Sequence, residues 1–435
     1  MILYRPVTSE KIIRDAVHDL IVFRTDDTTD ALLFRLINAV EFQRLRRIRQ
    51  LGMASLTYPG ADHSRYSHSI GVMETARKIA ERLSTQVTIN DYDRRVFLCA
   101  ALLHDLGHGP FSHVFERVTG VNHELLTARV IQDPESEIHQ LLIQVDTTLP
   151  EDVVAVIQKR YKVRFLCDAI SSQLDADRLD YLLRDDHMTG AGYGGFDLRW
   201  LIQAMTIDPG SGRLVVLPKA VSAVEAYMQA RYHMYRNVYF HKVVRSAEGM
   251  LKLALKRARR LAVQDRLDWP AKDSAVSAAL AGQRMSMKQF VELDDVSLIQ
   301  CFKTWSDGPD LTLARLCKGL LFRKVYKSID VTGWGESTFE IAKTVVSKLG
   351  GDVEYDLFYD EPKDTPYPIA NSEPDPTNSV EQGKGIFVLT PNGLVNLASL
   401  SPMIESLNRQ LMFRRIHCSA EYRDAIAAEV FGIRQ

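Results

Sequence analysis

The chain has 435 residues, 46% hydrophobic and 25% charged, and a formal net charge of −1. That length exceeds one ordinary core, so two or three lobes are expected, and the composition is that of a soluble globular protein. A near-zero charge excludes a global electrostatic attraction to nucleic acid or to a membrane surface.

The five cysteines (Cys99, Cys167, Cys301, Cys317 and Cys418) are dispersed and form no CxxC pair. That suits a reduced cytosol and argues against a thiolate zinc site. Residues 1–6 are too short and polar-flanked for a signal peptide, and no run of about 18 apolar residues occurs. A cytoplasmic protein without membrane attachment is expected.

Ile12–Phe23 is short and β-branched, which predicts a strand or hairpin within an N-terminal segment of residues 1–30. Ala31–Leu51 sets Leu33, Leu36, Ile37, Val40, Leu45 and Ile48 at helical spacing, as one helix or two. It also carries Arg44, Arg46, Arg47 and Arg49, which fit either a solvated face or contacts to phosphate oxygens. Tyr58–Ser69 reads as a turn into a helix that Ser64 or Ser67 can cap, continuing through Ile70, Met73, Ala76, Ile79, Ala80 and Leu83. Arg65 and His68, three apart, point the same way on it.

Val96–Leu103 is an apolar helix running into Gly107, Gly109 and Pro110, where it should end or bend. The stretch Leu102–Glu116 there offers His104, His108 and His113 with Asp105 and Glu116, at the mouth of a buried element. His123-Glu124 opens another helix, and residues 135–165 continue in helical pattern. Ser171–His187, as a helix, stacks Asp177, Tyr181 and Arg184 on one face with Asp180 beside them. After a glycine-rich loop, residues 197–217 suggest a small hairpin around Asp208–Gly212. Tyr227, Arg231, Tyr235, Tyr239 and Lys242 then follow at spacings of four, four, four and three. A core helix would put leucine there, so this face of two cations and three phenols reads as a ligand-facing stripe.

Residues 250–320 stay helical in pattern. Beyond them a helix is predicted over Thr338–Leu349 and strands over Val353–Tyr359, Gly385–Leu389 and Phe413–Cys418. The Pro-, Asp-, Asn- and Ser-rich residues 360–384 read as a mobile loop. The expected architecture is mainly α: a helical core over residues 31–335 and a smaller α+β lobe over 336–435.

His68, His104, Asp105 and Asp177 form a borderline-hard donor set suited to Mn, Fe, Zn or Mg and unsuited to Cu(I). Four such ligands leave an octahedral ion room for a water and a phosphate oxygen, as hydrolysis requires. His108, His113, His123, Glu116 and Glu124 could supply a general acid and the groups that orient it.

This ordered set resembles the H…HD…D signature of HD-domain phosphohydrolases. Arg65-Tyr-Ser-His-Ser-Ile-Gly-Val72, Leu103-His-Asp-Leu-Gly-His-Gly-Pro-Phe-Ser-His113, His123-Glu124 and Asp175-Ala-Asp-Arg-Leu-Asp-Tyr181 are similar to its deoxynucleoside triphosphate triphosphohydrolase branch. The resemblance covers about residues 10–260 strongly and the C-terminal lobe only in outline. It implies an HD-domain helical core that cleaves dNTPs to deoxynucleoside and inorganic triphosphate, with Mg²⁺ able to accompany the substrate. His68, His104, Asp105 and Asp177 would hold the metal, and His123 would protonate the leaving group, supported by Glu116, His108 and His113. Arg65, Arg178, Tyr181, Arg231, Tyr239 and Lys242 would meet phosphates and sugar, with Gln50 and Leu51 at the deoxyribose.

The resemblance also implies a homo-oligomer (dimer, tetramer or hexamer) and allows a nucleotide effector. Departures fall at Arg178, Tyr235, Phe240 and Glu116, where lysine, histidine, a polar residue and aspartate occur in relatives. They touch selectivity for base and sugar more than the reaction. Arg46 matches a guanine-effector pocket but Asn38 replaces its acid, so guanine-specific activation is not carried over. Two other classes stay open: a different HD-type nucleotide phosphatase or single-strand nuclease, and a non-catalytic nucleotide sensor.

Overall fold

In the computed structural model, residues 10–271, 274–335, 337–364, 385–407 and 411–432 are described. Glu10–Asp15 (β1) and Asp19–Arg24 (β2) pair antiparallel from Glu10↔Arg24 to Asp15↔Asp19, giving the expected hairpin. The Asp15 carboxylate accepts the N–H groups of Val17 and His18 at 2.8 and 2.9 Å, and Asp19 closes the turn at φ 62°. Aspartate tolerates that left-handed conformation better than most residues.

The helical body begins with Thr28–Asn38 (α1), whose N-cap Asp27 accepts from Thr29 and Asp30. Arg65–Ser84 (α2) packs against Asp91–Leu103 (α3) and Ala176–Thr189 (α6), with His113–Thr119 (α4) and His123–Gln132 (α5) between them in sequence. Apolar faces explain the packing: Ile70, Met73, Ala76 and Ile79 of α2 meet a fully buried run from Val96 to Leu103. Val221–Met234 (α7), Lys242–Val263 (α8), Asp295–Ser306 (α9) and Leu311–Leu321 (α10) extend the same core. The protein is mainly α, with small sheets at its margins.

Among the described residues, two larger sheets and a short antiparallel pairing of Lys363–Asp364 with Leu411–Met412 flank the helical body. Met205–Ile207 (β3), Leu214–Val216 (β4), Phe387–Thr390 (β7) and Gly393–Asn396 (β8) line up in that order, with β4 and β7 parallel. Lys327–Asp330 (β5) and Leu357–Asp360 (β6) flank a central Arg415–Cys418 (β9), both antiparallel to it. Ile329, Val331, Leu357 and Ile416 build a second core under Ser337–Lys348 (α11) and Arg423–Phe431 (α12).

Several expectations change. Residues 44–47 form a tight 3₁₀ turn instead of continuing a helix. Within 353–359 only the last residues are strand, because Tyr355 and Asp356 turn back onto the carbonyl of Asp352. A helix, Leu198–Gln203, precedes the hairpin expected over 197–217. Val388 and Leu397, within the expected C-terminal lobe, pack with the main core, since β7 completes the edge of β4. The mobile loop expected over 360–384 lies, beyond residue 364, outside the described residues. No helix among the described residues is long and apolar enough to cross a membrane.

Candidate metal centre and catalytic pocket

α2, the end of α3 and the first turn of α6 converge to bring His68, His104 and Asp177 together. His68 Nε2 lies 3.0 Å and His104 Nε2 3.7 Å from the same Asp177 oxygen. Both nitrogens are buried and lack a hydrogen-bond partner. Their other ring nitrogens are engaged, His68 Nδ1 with Asp180 at 2.9 Å and His104 Nδ1 with the Ala101 carbonyl at 2.9 Å. Two imidazole nitrogens that converge on one carboxylate oxygen are arranged as ligands, so a divalent cation in place of protons fits the donors present.

Asp105 stands at the rim of this trio, 3.5 Å from His104 Nε2 and 3.8 Å from His68 Nε2. Its second partner is Arg65, which also donates to Ser112 Oγ at 3.0 and 2.9 Å. Burial raises the proton affinity of Asp105, but Arg65, His104 and His108 outweigh it and hold the carboxyl well below its ordinary range. At His68 burial works against protonation, yet Asp177 and Asp180 lift the imidazole to about 10. The pocket thus stabilises positive charge between these residues, which a cation would supply.

A second histidine group adjoins it. His108, His113 and His123 offer nitrogens within 4.8 Å of one another. His108 stacks on His123 with ring centroids 3.9 Å apart. His123 Nδ1 bonds Glu116 at 2.9 Å, and His113 Nδ1 lies 3.5 Å from the same oxygen. Burial and Arg65 press the His108 and His113 pKa values down, His108 the further. Glu124, expected among these groups, instead points out as an exposed residue of the first turn of α5 and joins none of their hydrogen bonds.

The glycines expected to end α3 have a definite task. A Cβ on Gly107 would fall 2.2 Å from the His123 carbonyl and 2.4 Å from the Thr127 nitrogen. Only glycine lets the loop pass beneath α5, where its N–H bonds Thr127 Oγ1 at 2.8 Å. Phe111 and Ser112 both take positive φ before α4, delivering His113 to the pocket. Arg44 threads under this loop and donates to the carbonyls of Leu106 and His108 at 3.3 and 2.7 Å. Its partner arginines are likewise engaged: Arg46 covers Tyr66, Arg47 pairs with Asp294 and Arg49 with Asp62. All four cations thus have partners within the chain.

The expected stripe divides in two. Tyr227 is fully buried and donates to the Gln173 carbonyl at 2.9 Å, so it belongs to the core. Arg231 bonds Gln173 Oε1 at 2.8 Å and lies over Tyr235, while Tyr239 donates to Asp185 at 2.8 Å. Tyr181 faces Tyr239 at 6.3 Å, and Arg178 is held by Asp175 and the Ser172 carbonyl. Residues 235–239 form a π-helical turn, and the backbone breaks at Phe240 and His241. Lys242 therefore opens a new helix, exposed beside Lys318, Arg323 and Lys327, and leaves the row. Arg184 also departs from the expected face, turning into the interior to pair with Asp180 and Asp15. Gln50 has a buried Oε1 without a partner, and Leu51 packs against the small cluster of Ala54, Ala61 and Val244.

The HD domain family matches residues 65–160, and an HD associated region matches residues 196–268. The YwfO protein of Bacillus subtilis is 36% identical over 405 residues, covering 92% of this chain and 90% of that protein. A deoxynucleoside triphosphate triphosphohydrolase SAMHD1 homolog of Dictyostelium discoideum is 29% identical over 75% of this chain and 61% of its own length. A phosphohydrolase from Bacteroides thetaiotaomicron superposes with a TM-score of 0.79 at 29% identity, over 94% of this chain and 99% of that one. Fold and site together define a metal-dependent hydrolase. The chain belongs to the HD-domain phosphohydrolase family.

Proposed function

We propose that this protein hydrolyses deoxynucleoside triphosphates to deoxynucleoside and inorganic triphosphate. The observation that carries the reading is the company of the ligand cluster: Arg178 and Tyr181 follow Asp177 on the same helix, with Arg231 among their electrostatic neighbours. A single phosphate needs few cations; a triphosphate carries several charges that guanidinium forks match. A relative whose name states this activity supports the same reading.

His68, His104, Asp177 and the adjacent Asp105 would hold the cation, with Mn, Fe, Zn and Mg suited to these donors. When bound, it would lower the pKa of a water and polarise an α-phosphoryl oxygen. Arg65, between Asp105 and Ser112, would face the α-phosphate, with Arg178 and Arg231 along the chain beyond it. As water oxygen bonds to the α-phosphorus, the bond from phosphorus to the 5′ oxygen breaks. His123, held by Glu116 through Nδ1, would give that oxygen its proton from Nε2. Neutral His108 stacked against it would keep a second positive charge out of the pocket. Tyr181, Tyr235 and Tyr239, with Gln50 and Leu51, would border the sugar. Lys242 stands outside this row, at the start of the next helix.

Five free, buried cysteines fit a reducing cytoplasm. Homo-oligomerisation and a nucleotide effector belong to the same proposal. Incubation with each dNTP and Mn²⁺, singly and mixed, tests it. Deoxynucleoside and triphosphate should accumulate one to one, and faster turnover in the mixture would reveal activation. Orthophosphate or pyrophosphate as the sole inorganic product, or cut single-stranded oligonucleotide, would replace this reading with another HD chemistry. Binding without turnover, unchanged in Asp105→Ala, would make the protein a sensor.

A further inference from the structure

Behind the metal ligands lies a buried polar chain that ends in the N-terminal hairpin. The Asp180 carboxylate, fully buried, faces His68 Nδ1 at 2.9 Å with one oxygen and His18 Nε2 at 2.8 Å with the other. Arg184 grips both oxygens of Asp180, at 2.8 and 2.9 Å, and both oxygens of Asp15, at 2.8 and 3.1 Å. Asp15 in turn fixes the backbone N–H groups of Val17 and His18 in the hairpin turn. On its far side, His18 Nδ1 meets Lys78 Nζ at 3.3 Å.

The donors decide the tautomers. Lys78 can only donate, so His18 Nδ1 accepts and His18 Nε2 carries the proton toward Asp180. Asp180 can only accept, so His68 Nδ1 carries a proton and the His68 Nε2 lone pair is left for the cation. The hairpin turn thus acts on the metal ligand through one carboxylate. The space for this chain is made by Gly71 on α2, where a Cβ would stand 2.0 Å from an Asp180 oxygen and 2.2 Å from an Arg184 nitrogen.

We propose that His18 is a positioning residue of the metal centre, locking Asp180 so that His68 presents Nε2 to the cation, and that the hairpin is thereby part of the site. The proposal rests on the reading that His68, His104 and Asp177 hold a metal, and not on which substrate is cleaved. Groups that orient metal-bound histidines typically contribute about 10–100-fold to metal affinity.

The test loads the full-length protein with Mn²⁺, challenges it with a chelator and follows retained metal alongside the melting temperature. Asparagine at this position is too short to reach Asp180, whereas a glutamine amide nitrogen can sit near the place of Nε2. His18→Asn should lose Mn²⁺ about 10–100-fold more readily than the wild type, and His18→Gln should restore much of the retention. Ile21→Ala opens a cavity under the same hairpin and removes none of the hydrogen bonds of this chain, so it should lower the melting temperature and leave retention unchanged. Retention by His18→Asn equal to the wild type overturns the proposal, as does equal metal loss from Ile21→Ala. A wild-type chain that holds no divalent metal overturns the centre itself, whereas intact retention with no dNTP turnover leaves this inference standing and removes only the substrate.

Discussion

Arg44 and Asp295 hold the catalytic loop from two directions. Burial presses the Arg44 guanidinium down to about 9, partly countered by Asp294, and its hydrogen bonds end on the carbonyls of Leu293, Leu106 and His108. Arg44→Met would leave those carbonyls buried and unpaired. We expect a loss on the order of 3 kcal/mol, read as a lower denaturant midpoint. Asp295 accepts the N–H of Phe111 at 2.8 Å and of Arg49 at 2.9 Å. Burial still lifts its carboxyl to about 6 against those bonds. The folded chain then binds the Asp295 proton more tightly than the unfolded chain, so this group's contribution to stability falls as pH rises from about 4 to about 6. Asp295→Asn should flatten that part of the profile of stability against pH. At the reaction itself, His123→Ala should lower kcat by about 10²–10⁴-fold while bound metal is unchanged, whereas Asp177→Ala should lose metal and activity together.

At the scale of elements, α2 brings Arg65 and His68, α6 brings Asp177, Arg178 and Tyr181, and the crossing of the two helices is tight. Gly71→Ala gains roughly 1 kcal/mol of helix propensity but forces a methyl group onto the Asp180–Arg184 pair. The second effect should win, lowering the melting temperature by several degrees. These helices were legible because their apolar positions repeat at helical spacing, and His68, His104 and Asp177 were legible because their order along the chain resembles the H…HD…D signature. The stripe from Tyr227 to Lys242 was only half legible. Its spacing assumes a continuous α-helix, and the π turn at 235–239 with the break at 240–241 carries Lys242 away. Arg184 was misread for another reason: its partners Asp180 and Asp15 are chosen by burial, and helical phase alone does not reveal which face is interior. His18 was invisible, since the contact that gives it meaning joins residues 162 apart in the chain.

For the whole molecule, the same metal that serves chemistry should bind strands and helices together. His68 reaches the hairpin through Asp180, while His104 sits at the loop that Arg44 and Asp295 clamp. A ligand at 100 times its dissociation constant adds about 2.7 kcal/mol to stability. Chelation should therefore lower the melting temperature, and Mn²⁺ should restore it. Where water enters the substrate separates triphosphate release from every other HD chemistry. Hydrolysis in ¹⁸O-labelled water should place the label on the triphosphate, at the phosphorus that was α in the dNTP, and leave the deoxynucleoside unlabelled. Label in orthophosphate or pyrophosphate, with the nucleotide still carrying phosphate, would contradict it.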